Sequence, residues 1–153
     1  LVTRWQGDAP RRGKRRATVA ELVAAKKIRL AVETVQEFAP SPAALLEKLN
    51  HPNLGVNFDP ANMVLYGKGD PIAALQTLAP WIRQVHLKDA KRTQIPGTWG
   101  EEVPVGTGDV DWRNFFSTLN EIHFTGDVVI EREAGNQRIA DIRMAREIFQ
   151  KFA

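Results

Sequence analysis

The 153-residue chain contains no cysteine, which excludes disulfides, thiolate metal ligands and cysteine nucleophiles and gives no reason to expect an oxidising compartment. No apolar run approaches the roughly 18 residues that span a bilayer. Leu1–Pro10 also lacks the charged-then-apolar layout of an export signal. No membrane partner is therefore expected, and cytoplasm is the default location. Charge of one sign is scarce as well: 21 Lys/Arg against 18 Asp/Glu leave a formal net charge of +3. That excess is local. Residues 1–16 hold Arg4, Arg11, Arg12, Lys14, Arg15 and Arg16 against Asp8, so the rest of the chain is slightly acidic. The run RRGKRR has no interleaved aromatics and is broken by glycine. It reads as an irregular solvated segment over 1–17 in preference to a polyanion contact, and nucleic acid is not the expected partner.

What remains, 43% hydrophobic and 25% charged, fits one globular unit over 1–153 with a single core. Apolar runs alternate with segments of helical period. LVTRW (1–5) reads as a short strand, and TVAELVAAKK (18–27) as a helix with Thr18 as its cap. IRLAVE (28–33) is a strand. SPAALLEKLN (41–50) is a helix with Ser41 as N-cap and Pro42 in its first turn, followed by the strand LGVNFD (54–59). DPIAALQTLAP (70–80) repeats the Asp-cap and Pro device before the strand IRQVHLKD (82–89). A long loop precedes a helix over 111–122, a strand DVVIE (127–131) and a closing helix over 137–152. The pattern βαβαβαβα implies parallel strands with helical crossovers.

Side chains alternate faces along a strand. Leu30 and Val32 oppose Ala31 and Glu33. Leu54, Val56 and Phe58 oppose Gly55, Asn57 and Asp59. Val85 and Leu87 oppose Gln84 and His86, and Val128 and Ile130 oppose Val129 and Glu131. Four successive strands thus end in Glu33, Asp59, His86 and Glu131, each on the face away from the large aliphatics. Singly, each residue has an ordinary reading: Asp59-Pro60 is a good N-cap with a first-turn proline, Glu33 and Glu131 pass for loop carboxylates, and His86 for a structural histidine. Jointly they put three carboxylates and one imidazole at one end of one sheet. In a barrel that face points inward and that rim holds the active site. The donor set is oxygen-rich with one nitrogen, suited to one divalent ion: Mn²⁺, Mg²⁺, Co²⁺ or Zn²⁺. VGTG (105–108) reads either as a plain turn or as a phosphate contact.

The segments LAVETVQEF, LGVNFDPANMVLYGKGDP, VHLKDAKR, EEVPVGTGDVDW and VVIEREAG resemble the C-terminal half of the sugar phosphate isomerase/epimerase family, the xylose isomerase-like barrels that also include endonuclease IV. The likeness runs from about Thr18 to Ala153. It implies an α/β fold, a partial (β/α)8 TIM barrel made of the last four to five β/α units. It implies that Glu33, Asp59, His86 and Glu131 are the metal ligands and that Glu33 and Glu131 are the acid/base pair of a metal-dependent isomerase or epimerase working through an enediolate. Arg92 matches an arginine that holds substrate oxygens. Asn62 stands where many relatives have a histidine; it is either a substrate-orienting residue or an ordinary first-turn helix residue. The implied partner is a small sugar or sugar phosphate. A full barrel takes about 250 residues, so a fragment or shortened chain is expected. Its open sheet edges bring two alternatives: a non-catalytic remnant and self-association into a homo-oligomer. An endonuclease IV-like repair enzyme needs more histidines than His51, His86 and His123 supply.

Overall fold

The alternation of apolar runs and amphipathic segments folds as a parallel sheet covered by helices. A computed structural model describes residues 2–4, 19, 21, 29–34 and 40–152. The strands are β1 (Val2–Arg4), β2 (Leu30–Glu33), β3 (Leu54–Phe58), β4 (Ile82–Leu87), β5 (Asp89–Lys91), β6 (Glu101–Val103) and β7 (Asp127–Ile130). The helices are α1 (Pro40–Leu49), α2 (Pro60–Leu65), α3 (Pro71–Leu78), α4 (Trp112–Glu121) and α5 (Arg138–Phe152). Five strands make one sheet in the order β1-β2-β3-β4-β7, each pair parallel. This is the partial barrel that the sequence implies. The helix expected over 18–27 lies almost wholly outside the described residues, with Val19 and Glu21 helical. The basic run at 11–16 lies outside them too.

Local chemistry sets most of the boundaries. The Asp70 carboxylate accepts from the Ile72 and Ala73 amides at 2.6 and 3.1 Å, and Pro71 opens α3 with φ already fixed. Asp111 caps α4 in the same way through Asn114 N at 3.1 Å. Helix α1 begins at Pro40, so Ser41 falls in the first turn instead of capping it. The expected long loop after β4 contains a hairpin, β5 antiparallel to β6, with Asp89 opposite Val103 and Lys91 opposite Glu101. Three-residue strands reading DAK and EEV show no apolar alternation, which is why a sequence reading passes over them. In β4 the register against β3 shifts, Val56 facing Ile82 and Asn57 facing Gln84, so Arg83 is an extra bulged residue. The bulge keeps Gln84 and His86 in line with Asn57.

The core lies between the outer face of the sheet and the helices, as in a barrel wall. Val56, Phe58, Val85 and Leu87 from the sheet are fully buried with Leu75, Leu78 and Phe115 from α3 and α4. Phe58 stacks on Phe115 at 6.2 Å, and Phe116 joins α4 to α5 through Phe149 and Phe152 at 6.0 and 5.6 Å. Aliphatics therefore occupy the helix side, leaving the opposite face to the small and polar residues at strand ends.

Candidate metal centre

Glu33 ends β2, Asp59 follows β3, His86 is next to last in β4 and Glu131 follows β7. Parallel pairing brings these ends level, and one ligand atom from each of the four lies within 4.8 Å of the others. His86 Nδ1 is 3.3 Å from Glu131 Oε2 and 3.6 Å from both Glu33 Oε1 and Asp59 Oδ2. Ligand atoms held about 2.0–2.2 Å from one ion stand at about this mutual spacing.

Asp59 reconciles two readings that compete on the sequence alone. Its Oδ1 accepts from Asn62 N at 3.1 Å and caps α2, with Pro60 in the first turn. Its Oδ2 is buried without a hydrogen-bond partner and faces the cluster. The Asp59 amide donates to Thr34 Oγ1 at 2.9 Å, tying the end of β3 to the end of β2. Among the described residues the buried side-chain atoms lacking a partner are Asp59 Oδ2, His86 Nδ1 and Asn57 Oδ1. Buried polar atoms are almost always satisfied. Two of these three belong to the cluster, and a cation there satisfies both, so the donor set fits a divalent ion.

Three converging carboxylates also need positive charge nearby. Lys88, only 2% exposed, provides it: its Nζ donates at 2.8 Å to both Glu131 Oε2 and Glu133 Oε2 and lies 3.8 Å from Asp59 Oδ2. Burial pulls the Lys88 ammonium down, but the Asp59 charge and the bonds to Glu131 and Glu133 outweigh it, so its pKa is raised. His86 follows the same logic. Burial lowers it, but the negative charge of the Asp59 and Glu131 carboxylates, 3.6 and 3.3 Å from Nδ1, more than compensates, and it rises to about 9. Glu131 drops to about 2, chiefly through the His86 ring 3.3 Å away and, against burial, with help from the Lys88 ammonium that donates to it.

The remaining sequence candidates lie outside the four-residue cluster. Asn62 is buried in α2 and its Nδ2 donates to Thr34 O at 3.3 Å and to Glu33 Oε1 at 3.5 Å, so it is both a helix residue and a neighbour of the cluster. Arg92 is exposed; its amide donates to Asp109 Oδ2 at 2.8 Å and its guanidinium has no partner among the described residues. Three of the VGTG amides are already committed: Gly106 N and Gly108 N donate to Asp89 Oδ2 at 2.9 and 3.1 Å and Thr107 N to Pro104 O at 3.0 Å, which makes that loop a structural turn. His123 lines a cavity of about 470 Å³ with Arg29, Ile82 and Asp127, at the strand starts and therefore opposite the cluster. Sequence reasoning missed Lys88, Glu102 and Glu133. Lys88 was within its reach, two residues past His86 and so on the same strand face. Glu102 was not, since the hairpin that delivers it was unseen. Its Oε1 accepts from Arg132 Nη1 at 2.8 Å and from the Glu133 amide at 2.9 Å, strapping down the loop that carries Glu131.

A run of parallel β/α units with acid and imidazole side chains gathered at the C-terminal strand ends makes part of a TIM barrel. The chain belongs to the xylose isomerase-like TIM barrel family, whose profile matches residues 12–152. It is 34% identical over 88 residues to the ketose 3-epimerase of Arthrobacter globiformis, covering 58% of this chain and 27% of that protein. It is 30% identical over 149 residues to the putative L-ribulose-5-phosphate 3-epimerase SgbU of Escherichia coli K12, covering 92% and 51%. The crystal structure of a xylose isomerase domain protein from Planctomyces limnophilus superposes with a TM-score of 0.83 at 37% identity, covering 92% of this chain and 50% of that one. The chain thus spans about half the length, or less, of these three relatives. Among the described residues no helix is long and apolar enough to cross a membrane.

Proposed function

We propose that the chain is a metal-dependent sugar or sugar phosphate isomerase or epimerase that moves a proton through an enediolate. The observation that carries this reading is the convergence of four ligand atoms within 4.8 Å, two of them buried and otherwise unpartnered. Likeness to the two epimerases supports the substrate class. Glu33, Asp59, His86 and Glu131 would hold the ion: Mn²⁺, Mg²⁺, Co²⁺ or Zn²⁺. When bound there, such an ion would supply Lewis acidity to a substrate carbonyl and so make the neighbouring C–H more acidic. Glu33 and Glu131 serve as the proton-transfer pair, one carboxylate removing the proton and the other, protonated, returning one. Return to the same carbon from the opposite face gives the epimer, and return to the adjacent carbon gives the aldose–ketose isomer. Lys88 keeps Glu131 ionised and oriented through its 2.8 Å bond. Asn62 steadies Glu33, and Arg92, exposed and unpaired among the described residues, meets substrate oxygens.

The test is exchange of the substrate proton with solvent deuterium across a panel of ketoses and their phosphates, followed by NMR. Exchange that is lost by at least about a hundredfold in Glu33→Gln and in Glu131→Gln is expected, the scale of general acid/base catalysis. Equal exchange in wild type and both variants contradicts the reading. A second reading, a chain that holds the ion without turnover, is favoured by one observation: Val129, on the strand face that leads to Glu131, is 37% exposed, so that side of the site is open. Ion binding without exchange on any of the sugars supports it. The nuclease alternative finds no such support, since the cluster contains one histidine and His51 and His123 stand at the other ends of the strands.

A further inference from the structure

Asn57 is completely buried in β3, and its side chain meets the far edge of the His86 ring: Nδ2 lies 2.9 Å from Nε2, while Oδ1 is left without a partner. The near edge of the ring, Nδ1, faces Glu33, Asp59 and Glu131 at 3.3–3.6 Å. An imidazole that binds a cation through Nδ1 offers a lone pair there and carries its proton on Nε2. Only a hydrogen-bond acceptor then suits the Nε2 side. Asn57 is the residue in that position, and it has a spare acceptor. Turning its amide over exchanges two groups of nearly equal size and brings the unpartnered Oδ1 to the ring.

We infer that Asn57 is a positioning residue for the metal centre: its Oδ1 accepts the Nε2 proton of His86, fixing the tautomer and ring angle that present Nδ1 to the ion. This rests on the metal-site reading above and goes beyond it by adding a residue that touches neither ion nor substrate. The placement has a physical origin in the fold. The bulge at Arg83 puts Gln84 opposite Asn57, so His86, two residues on, stands one step further toward the rim than the amide that backs it. A partner behind a ligating histidine typically changes metal affinity by about 10–100-fold when removed.

The experiment uses the full 153-residue chain labelled with ¹⁵N at histidine and loaded with Zn²⁺, which is diamagnetic. Long-range ¹H–¹⁵N spectra of the wild type are expected to show His86 with zinc on Nδ1 and a slowly exchanging, hydrogen-bonded proton on Nε2. Asn57→Asp keeps an acceptor and is expected to retain that proton signal and bind zinc within a few-fold of wild type. Asn57→Leu, similar in size but without an acceptor, is expected to lose the protected proton and bind about 10–100-fold more weakly by calorimetry. Zinc on Nε2 in the wild type overturns the inference whether or not either variant folds. So does a folded Asn57→Leu chain with unchanged affinity. Failure of the wild type to bind zinc at all is a different result, because it removes the metal site itself.

Discussion

Asp59 uses its two carboxylate oxygens for different purposes, and substitution can separate them. Asp59→Asn keeps an oxygen to cap α2 while removing the charge from the cluster; Asp59→Ala removes both. In metal-free buffer Asp59→Ala is expected to unfold about 1 kcal/mol more easily than Asp59→Asn, the usual worth of an N-cap. Urea denaturation of the two variants measures this difference, and equal stabilities would show that Oδ1 does not cap. At this scale the sequence was legible wherever strand alternation applies, because Glu33, Asp59, His86 and Glu131 all follow from a period of two and a common rim. The same period points to Lys88, yet a lysine at a strand end is ordinarily solvated. What buries it is a set of partners, Glu131 and Glu133, 43 and 45 residues away in the chain.

The loop between β4 and α4 is an element without regular structure of its own along much of its length, and it is organised around one buried anion. Asp89 accepts from Ala90 N and Val110 N through Oδ1, and from Gly106 N, Gly108 N and Trp112 Nε1 through Oδ2. A Cβ at Gly108 would collide with Asp89 Oδ1, which cannot withdraw without breaking this set, and would stand 2.6 Å from Ala90 O, which accepts from the Asp109 amide at 2.8 Å. Gly108→Ala is therefore expected to destabilise the chain by about 2–3 kcal/mol. Gly97→Ala meets no atom within 4 Å; its cost is the positive φ of 81°, about 1–2 kcal/mol. Urea titration of both variants checks the ranking, and Gly97→Ala being the worse of the two would contradict it. Strands β2, β3, β4 and β7 and helices α3, α4 and α5 could be read from periodicity and caps. The β5–β6 hairpin could not, because its order comes from long-range partners such as the Lys91–Glu101 pairing and the Asp89 cage, to which the local pattern is blind.

At the scale of the molecule, β1 and β7 are the edge strands of the sheet among the described residues, and its polar face gathers the carboxylates of Glu33, Asp59 and Glu131. That concentration gives the metal-free chain a pH signature. Glu131 has its folded pKa lowered from 4.5 to about 2, so its contribution to stability is complete above pH 4.5 and fades as pH falls through that interval. His86 has its folded pKa raised from 6.5 to about 9, so its contribution is complete below pH 6.5 and fades as pH rises toward 9. Melting temperature in the presence of a chelator is expected to peak between about pH 4.5 and 6.5 and to decline toward pH 9; a continued rise from pH 7 to 9 would contradict the ion-pair network. The most direct test of the central claim is calorimetric titration of the purified 153-residue chain with Mn²⁺, beside Glu33→Gln and Asp59→Asn. A working four-ligand site predicts one ion bound in the micromolar range and lost in both variants. No binding by the wild type, or binding indifferent to both substitutions, would contradict it.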